Sequence, residues 1–394
     1  MQGVPISINL RRLREVKGLT QAQLADKAGI SRLGYANIEN GRAEPKVSTL
    51  RRIADALGVR LQDLVAPVPT LRSVRFRARK RLSGRDRSAR AQIVVDIAQW
   101  LEDFNYLERI LDYQPVYSLP SLRDSLREVA RGKERAVLAA CRARKAFSLD
   151  EDDPVRDICG LLEHHGVKVL ALDSPLDWFF GLSVSHEDGG PAVAVNTSDH
   201  ISVERWIFST AHELGHLILH EDAYDVNDTA ENEQEEMEAN VFASFFLMPP
   251  DLFDREWEET AGLRFALRVF KVKRMFRVSY KTVLVRLQDR YGQRAWSLFA
   301  SDYARLGRSP LHARCEPDAL GPDSFWTTPV ESHRTHEPEN LTRSDFVEDR
   351  LARLVKTALE RGEISASRGA EILRIDIEAM RDHMSSWSAE ARVN

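Results

Sequence analysis

Residues 210–220 read TAHELGHLILH, in which His212 and His216 stand four apart and Glu213 directly follows the first. On a helix, one turn brings two such imidazoles to the same face about 6 Å apart, within reach of one divalent cation. Glu213 then projects beside the ion rather than at it. There it is placed to take a proton from an activated water and pass it to a leaving amine. The run SVERWIFSTAHELGHLILH, residues 202–220, has helical length and puts both histidines on one face. A third ligand is still needed.

His220 cannot join both histidines, since eight residues of helix carry it about 12 Å from His212. Six residues after His216, where the metzincin pattern needs a histidine, stands Asp222. A carboxylate from a later helix remains. EEMEANVFASFFLMP, residues 235–249, offers Glu235, Glu236 and Glu238. Ala239, Asn240 and Ala243 share a face with Glu236 and would let this helix approach the first closely, which favours Glu236. Glu238 stands over Val241, Phe242 and Phe245 and is the alternative. Two histidines and a glutamate leave a fourth zinc position open for water, the catalytic arrangement; Mn2+ or Fe2+ could fill the same ligands.

Working outward, PVRDICGLLEHHG reads as a helix closed by Gly166, and VKVLAL, WFFGLSVS and AVAVNT as short strands of a small sheet. Helices follow over 263–300. The stretch from 306 to about 345, rich in Pro, Gly, Ser and His, reads as an irregular loop, and helices end the chain. Residues 69–90, PTLRSVRFRARKRLSGRDRSAR, are read as part of a linker or basic arm, with helices from Ala91 to about Lys145. For a further oxyanion donor, His200, Tyr224 and Tyr280 are candidates among which spacing does not choose. A thiolate cap from Cys141 or Cys159 on the open position is set against their plain reading as small buried residues.

At the N-terminus, Thr20 caps a helix ended by Gly29, Ser31 caps another stopped by Gly41, and STLRRIADALGV ends at Gly58. With Leu10, Leu13, Val16 and Leu19 as a first apolar stripe, four or five short helices result. The first 90 residues are basic and the remainder acidic, although the whole carries only a net charge of -4. That asymmetry suits a nucleic-acid-binding head on a different body. Three widely spaced cysteines form no C-x-x-C pair, which argues against a disulfide framework or a thiolate zinc site. No apolar run is long enough to span a membrane and the start lacks a signal-peptide stretch, so a cytoplasmic protein with no membrane partner is expected.

The run ERWIFSTAHELGHLILH, then EMEANVFASFFLMP and FRVSYKTVLVRL, resembles the ImmA/IrrE family of metallopeptidases across about 138–290. On that pattern His212, His216 and Glu236 map to zinc and Glu213 to the catalytic base. The resemblance implies a zincin-like fold whose sheet edge could hold an extended peptide beside the metal helix. The run from Leu10 to Val59, with TQAQLA, GIS, IENG and LRRIADALG, resembles the lambda repressor/Cro-like helix-turn-helix family known as XRE. Carried over, Gln21 positions the backbone, and Ser31, Arg32 and Asn37 face DNA. Arg32 suits a base contact and Arg42 and Lys46 phosphate contacts. Gly34 and Leu33 depart from an ideal reading helix.

Together these readings give a multidomain chain. An all-α helix-turn-helix head (1–66) and a basic linker and helical connector (67–137) precede an α+β zincin-like metallopeptidase domain with a small twisted sheet (138–300). An irregular loop and C-terminal helices (301–394) are read as a sensor, an interface or plain packing, with no preference among them; the run EISASRGAEILRIDIEAMRDHM is loosely similar to a second helix-turn-helix. The function expected from the two resemblances is a regulatory zinc endopeptidase that cuts a partner repressor under stress or phage-related signals. Its partners would be operator double-stranded DNA, a repressor substrate and a second copy of itself in a homodimer. The alternative is an XRE regulator or antitoxin-like protein whose metal domain senses with little proteolysis.

Overall fold

A computed structural model of the chain describes residues 6–65, 71, 74–78, 84–115, 117–176, 179–198, 201–221, 224, 232–306 and 350–390. The chain divides into two compact units, each assembled from separate stretches: 1–71, 82–114 and 349–394 in one, 72–81 and 115–348 in the other. The segment 67–137 read as a connector is thus shared between both.

The head comprises α1 (Ile6–Val16), α2 (Gln21–Lys27), α3 (Arg32–Glu39), α4 (Val47–Leu57) and α5 (Leu61–Val65). Its boundaries follow local chemistry. The Thr20 side chain and Gln23 form a reciprocal capping box on α2, Ser31 Oγ accepts from the Gly34 amide at 3.0 Å, and Gly58 closes α4 at φ 67°, where a Cβ is disfavoured. Leu10, Leu24, Tyr35, Ile53 and Leu64 meet in a small common core.

Beside that core lies a charge cluster. Glu39, buried at the end of α3, accepts from Arg14 at 2.7 and 3.0 Å and from Gln21 at 2.7 Å. Burial opposes the Glu39 charge, but these donors and Tyr35 outweigh it and hold the carboxyl below its ordinary range. Removing one partner of such a cluster strands the other. Glu39→Ala is therefore expected to cost the head about 3 kcal/mol, read by hydrogen exchange as a loss of amide protection confined to residues 10–64. Unchanged protection there would mean that the pair counts for no more than a surface ion pair.

Next come β1 (Val74–Ala78) and α6 (Gly84–Ile110). A strand inside the stretch read as a linker or basic arm has a simple cause: Val74, Phe76 and Ala78 alternate with arginines, a period of two hidden by the charge. The chain continues with α7 (Leu119–Leu126), α8 (Lys133–Ala146), α9 (Ile158–His164), β2 (Lys168–Leu172), β3 (Phe179–Val184) and β4 (Ala192–Asn196). Then come α10 (Val203–Leu219), α11 (Glu233–Leu247), α12 (Pro250–Glu259), α13 (Phe265–Phe276), α14 (Tyr280–Tyr291) and α15 (Arg294–Ala304).

The sheet order is β1-β3-β4-β2, with β2 and β4 parallel and the other pairs antiparallel. The second unit is therefore α+β, with a small mixed sheet among helices. β4 is buried along its whole length and β2 over its first three residues, which is why VLAL and AVAV read as apolar runs rather than as an alternating pattern. α10 is buried almost throughout, against β3 and β4 as well as α11. Its crossing with α11 is close because Gly215 has no side chain: a Cβ there would sit 2.9 Å from the Phe242 ring. One core runs from Leu119 through the sheet to Phe299. A buried ion pair, Lys273 to Glu204 at 3.1 Å, ties α13 to the start of α10.

The chain ends in α16 (Arg350–Glu360), α17 (Ala366–Leu373) and α18 (Ile377–Glu390), which complete the first unit with α6. Buried Arg350 reaches Glu108 at 3.4 Å and lies over the Phe104 ring, while Arg368 binds Asp103 at 2.6 Å. No described helix is long and apolar enough to cross a membrane. The irregular loop expected before these helices lies outside the described residues.

Candidate functional site

One turn of α10 and the first turns of α11 bring His212, His216 and Glu236 together, and among the described residues theirs is the group of side chains arranged to hold a metal ion. The two Nε2 atoms are 3.0 Å apart. Glu236 places Oε2 3.3 Å from His212 Nε2 and Oε1 3.1 Å from His216 Nε2. Tetrahedral ligands about 2.0–2.1 Å from zinc stand roughly 3.3 Å from one another, so the spacing fits such an ion.

The outer nitrogens explain why the inner ones act as acceptors. His212 Nδ1 faces Asn240 Oδ1 at 3.1 Å, an arrangement that assigns the proton to Nδ1 and the lone pair to Nε2. His216 Nδ1 meets His220 Nδ1 at 3.0 Å, and His220 Nε2 meets Glu238 Oε2 at 2.7 Å. With Glu238 ionised, protons on His220 Nε2 and His216 Nδ1 satisfy this row and again leave Nε2 of His216 as an acceptor. A cation at the centre satisfies both nitrogens and the carboxylate at once.

Thus the two competing carboxylates occupy different places. Glu236 lies with the histidine pair, whereas Glu238 buttresses His220, accepts from the Gly132 amide, and lies 3.6 Å from Arg135. Glu235 binds Arg131 and Arg75. The small residues expected to open the approach do pack inside, Ala239 and Ala243 both fully buried, but Asn240 has the specific task of engaging His212.

Charge follows from burial and neighbours. Desolvation holds His216 well below the ordinary imidazole range, against the pull of Glu236, and it lowers His220 similarly against Glu238. Burial opposes ionisation of Glu236, yet with no metal bound an Nε2 proton on His212 or His216 can point at it, and these hydrogen bonds leave it well below the carboxylate range. In the metal-free protein these shifts set the sign of an acid response. The unfolded chain takes up protons on histidine near about pH 6.5, whereas the folded one resists. Stability present above that pH is lost as the pH falls through it. Glu236, with its folded value depressed, contributes stability that is present above the unfolded carboxylate value and is lost further into acid. Thermal melts of chelator-treated protein are expected to show a falling Tm from pH 7 to 5; a flat profile would contradict the burial of neutral histidines.

Glu213, next to His212, is 1% exposed; its Oε2 accepts from Ser183 Oγ at 2.8 Å, and Ser183 Oγ accepts from Tyr224 at 2.7 Å. Gly181 permits this approach of sheet to helix, because a Cβ there would meet the Glu213 side chain at 3.3 Å and the Ala194 carbonyl at 3.2 Å. Of the hydroxyl and imidazole candidates for a further donor, Tyr224 reaches the site through Ser183. Tyr280 is stacked on Phe299 in the core, and His200 lies outside the described residues. Neither cysteine belongs to the donor group: Cys159 is buried in the core, as the plain reading expects, whereas Cys141 is exposed on α8 and fits neither the cap nor the buried reading.

In the head, Ser31, Arg32, Arg42 and Lys46 are exposed and Asn37 is half-buried. The Ser31 hydroxyl is engaged by the Gly34 amide, and Gln21 donates inward to Glu39. Leu33, beside Arg32, is 72% exposed, an apolar tip on the same end of α3.

Sequence reasoning missed Arg75, Ser183, Asn240 and the His220–Glu238 pair. Asn240 and His220 carried a signal, being one helical turn from Glu236 and His216. Arg75 and Ser183 carried none, because strand register brings Ser183 to α10 and Arg75 to α11.

Comparison with known proteins finds two family matches. Residues 10–64 match the family described as Helix-turn-helix, and residues 162–288 match the IrrE N-terminal-like domain. An uncharacterised HTH-type transcriptional regulator, y4dJ of Sinorhizobium fredii, is 42% identical over 62 residues, 16% of this chain and 80% of its own length. The immunity repressor protein of Bacillus phage phi105 is 43% identical over 56 residues, 14% of this chain and 39% of that protein. The HTH-type transcriptional repressor RghR of Bacillus subtilis is 44% identical over 57 residues, 14% of this chain and 42% of that protein. The chain therefore spans most of the first relative and less than half of the other two.

Proposed function

This chain belongs to the helix-turn-helix transcriptional regulators and joins that head to an IrrE N-terminal-like domain, and from there we propose that it is a regulatory zinc-dependent endopeptidase. It hydrolyses a peptide bond in a partner repressor, acts in the cytoplasm as a homodimer, and relieves repression under a stress or phage-related signal. The observation that carries this reading is the convergence of His212, His216 and Glu236 on one point with Glu213 beside it.

When bound, the metal supplies Lewis-acid polarisation of the scissile carbonyl and of the attacking water. The protein does the rest. Asn240 and the His220–Glu238 pair hold the two imidazoles in the tautomer that offers Nε2 inward. Glu213 is the proton carrier, taking a proton from water at a carboxylate oxygen and delivering it to the leaving nitrogen. Tyr224 and Ser183 orient that carboxylate by donating in series to Oε2. The buried setting excludes bulk water from the transfer.

The head would bring this site to operator DNA, where a repressor sits. Arg32 is the base reader, and Arg42 and Lys46 contact phosphate. Arg32→Ala is expected to weaken a sequence selected from random duplexes by about 10- to 100-fold while leaving weak general binding in place. If the wild-type chain enriches no sequence, the head is a protein adaptor and the DNA part of this reading fails.

A second reading, a regulator whose metal domain senses rather than cuts, is favoured by relatives that bear the name repressor. The deciding experiment incubates the zinc-loaded chain with helix-turn-helix repressors encoded beside it and maps products by mass spectrometry. One discrete cut, absent with chelator, supports the peptidase; intact repressors together with metal-dependent operator release support the sensor.

A further inference from the structure

The chain adds β1 to the sheet by an excursion. Residues 1–71 and 82–114 belong to the first unit, and only 72–81 cross into the second. The other three strands come from one continuous stretch, 168–196. β1 is antiparallel to β3 on the edge away from β4, with Val74 opposite Val184, Arg75 opposite Ser183 and Phe76 opposite Leu182.

That register puts Arg75 on the face of the sheet that carries the site, because directly opposed residues point the same way. Ser183, its partner, is the residue that donates to Glu213. The Arg75 guanidinium accordingly reaches α11: one terminal nitrogen binds Glu235 and the other lies 3.5 Å from Oε1 of Glu236. It is 12% exposed, and Glu235 also holds Arg131 at 3.1 Å. A strand edge offers a row of backbone donors and acceptors to any extended chain, while side-chain pockets beside it choose among chains. Here the pocket is acidic and already holds an arginine. Its two carboxylates, one to each terminal nitrogen, suit a planar fork better than a lysine ammonium.

We propose that the β3 edge, with Glu235 and Glu236 beside it, is the binding site for an extended, arginine-bearing segment of the protein substrate, and that residues 74–78 fill it in cis. This rests on the peptidase reading for the word substrate, but the binding itself does not. The substrate strand runs antiparallel to β3, its arginine opposite Ser183, so that its backbone passes beside Glu213. The peptide-binding edge and the tether to the head are then in competition, and a partner must displace residues 74–78 to be cut.

The test uses the full-length chain in a Glu213→Gln background, zinc-loaded, so that binding is read without turnover. The probe is a fluorescent peptide RSVRFRAR, the sequence of residues 72–79. In the Arg75→Glu variant, repulsion from Glu235 and Glu236 is expected to expel the strand and remove protection from those amides of 179–184 that face β1, while those that bond to β4 keep theirs. Anisotropy should then show peptide binding at least 10-fold tighter than in the chain that retains Arg75. Alanine in place of the peptide's central arginine should cost at least 10-fold and lysine an intermediate amount, and saturating peptide should restore protection. Protection of the β1-facing amides that persists in Arg75→Glu, or is lost with no peptide binding, overturns the proposal. Should Arg75→Glu fail to fold, the peptide is titrated against the chain that retains Arg75. Faster exchange over 74–78 at saturation then supports displacement, and none overturns it. Failure of the peptidase reading alone would leave binding intact and cleavage absent in the chain that retains Glu213.

Discussion

Glu213→Gln is expected to abolish cleavage of the partner repressor, by about 10²- to 10⁴-fold in kcat, while the metal stays bound and operator binding is unchanged. The amide keeps the shape of the side chain and can still accept from Ser183, whose hydroxyl lies 2.8 Å from Oε2. It cannot carry a proton. Because Glu213 lies outside the group of donors that converge on the ion, its loss leaves the ligand set whole. Three measurements on one preparation decide the matter: zinc content by elemental analysis, product formation by mass spectrometry, and DNA binding by gel shift. Cleavage at the wild-type rate would remove Glu213 from the chemistry. An unchanged biological response to the inducing signal in a Glu213→Gln strain would instead favour the sensor reading.

The second large effect separates two glutamates that lie two residues apart. Glu236→Ala is expected to reduce zinc from one equivalent per chain to a trace, as His212→Ala and His216→Ala should, because each removes one of three protein ligands. Glu238→Ala is expected to retain one equivalent and to lose affinity by about 10- to 100-fold in chelator competition. In that variant His220 has lost its acceptor at 2.7 Å, and nothing fixes the tautomer that His220 imposes on His216. Glu238→Gln, which keeps an acceptor oxygen, should recover part of the affinity. If Glu238→Ala strips the metal and Glu236→Ala does not, the ligand assignment is reversed and the close approach of Glu236 to both histidines is incidental.

The chemistry closest to hand was local and could be read from spacing. His212, Glu213 and His216 sit within five residues, and helix geometry alone puts both histidines on one face. The caps at Thr20, Ser31 and Gly58 were readable for the same reason, since each is a contact between residues a turn apart. The choice of Glu236 over Glu238 was less secure in the sequence, where it rested on which face carried small residues. The structure gives it a different basis, the separate engagement of Glu238 by His220 and the Gly132 amide.

Whatever depended on two distant stretches meeting had no sequence signature. The pairing of Arg75 with Ser183 and the closure of Gly181 onto Glu213 arise from strand register and the packing of sheet on helix. Register is fixed by which strand faces are buried and helix crossing by the fit of Gly215 under Phe242, and both are properties of the packed core. The basic stretch around residue 75 read as a linker because charge masked a five-residue alternation, and because a strand gains its stability only when a partner edge exists. The sequence by itself determined which residues could hold a metal and which helices carry them. Only the tertiary structure decided which carboxylate joins the histidines and which segment lies against the edge beside them, because both are settled by non-local contacts that no spacing encodes.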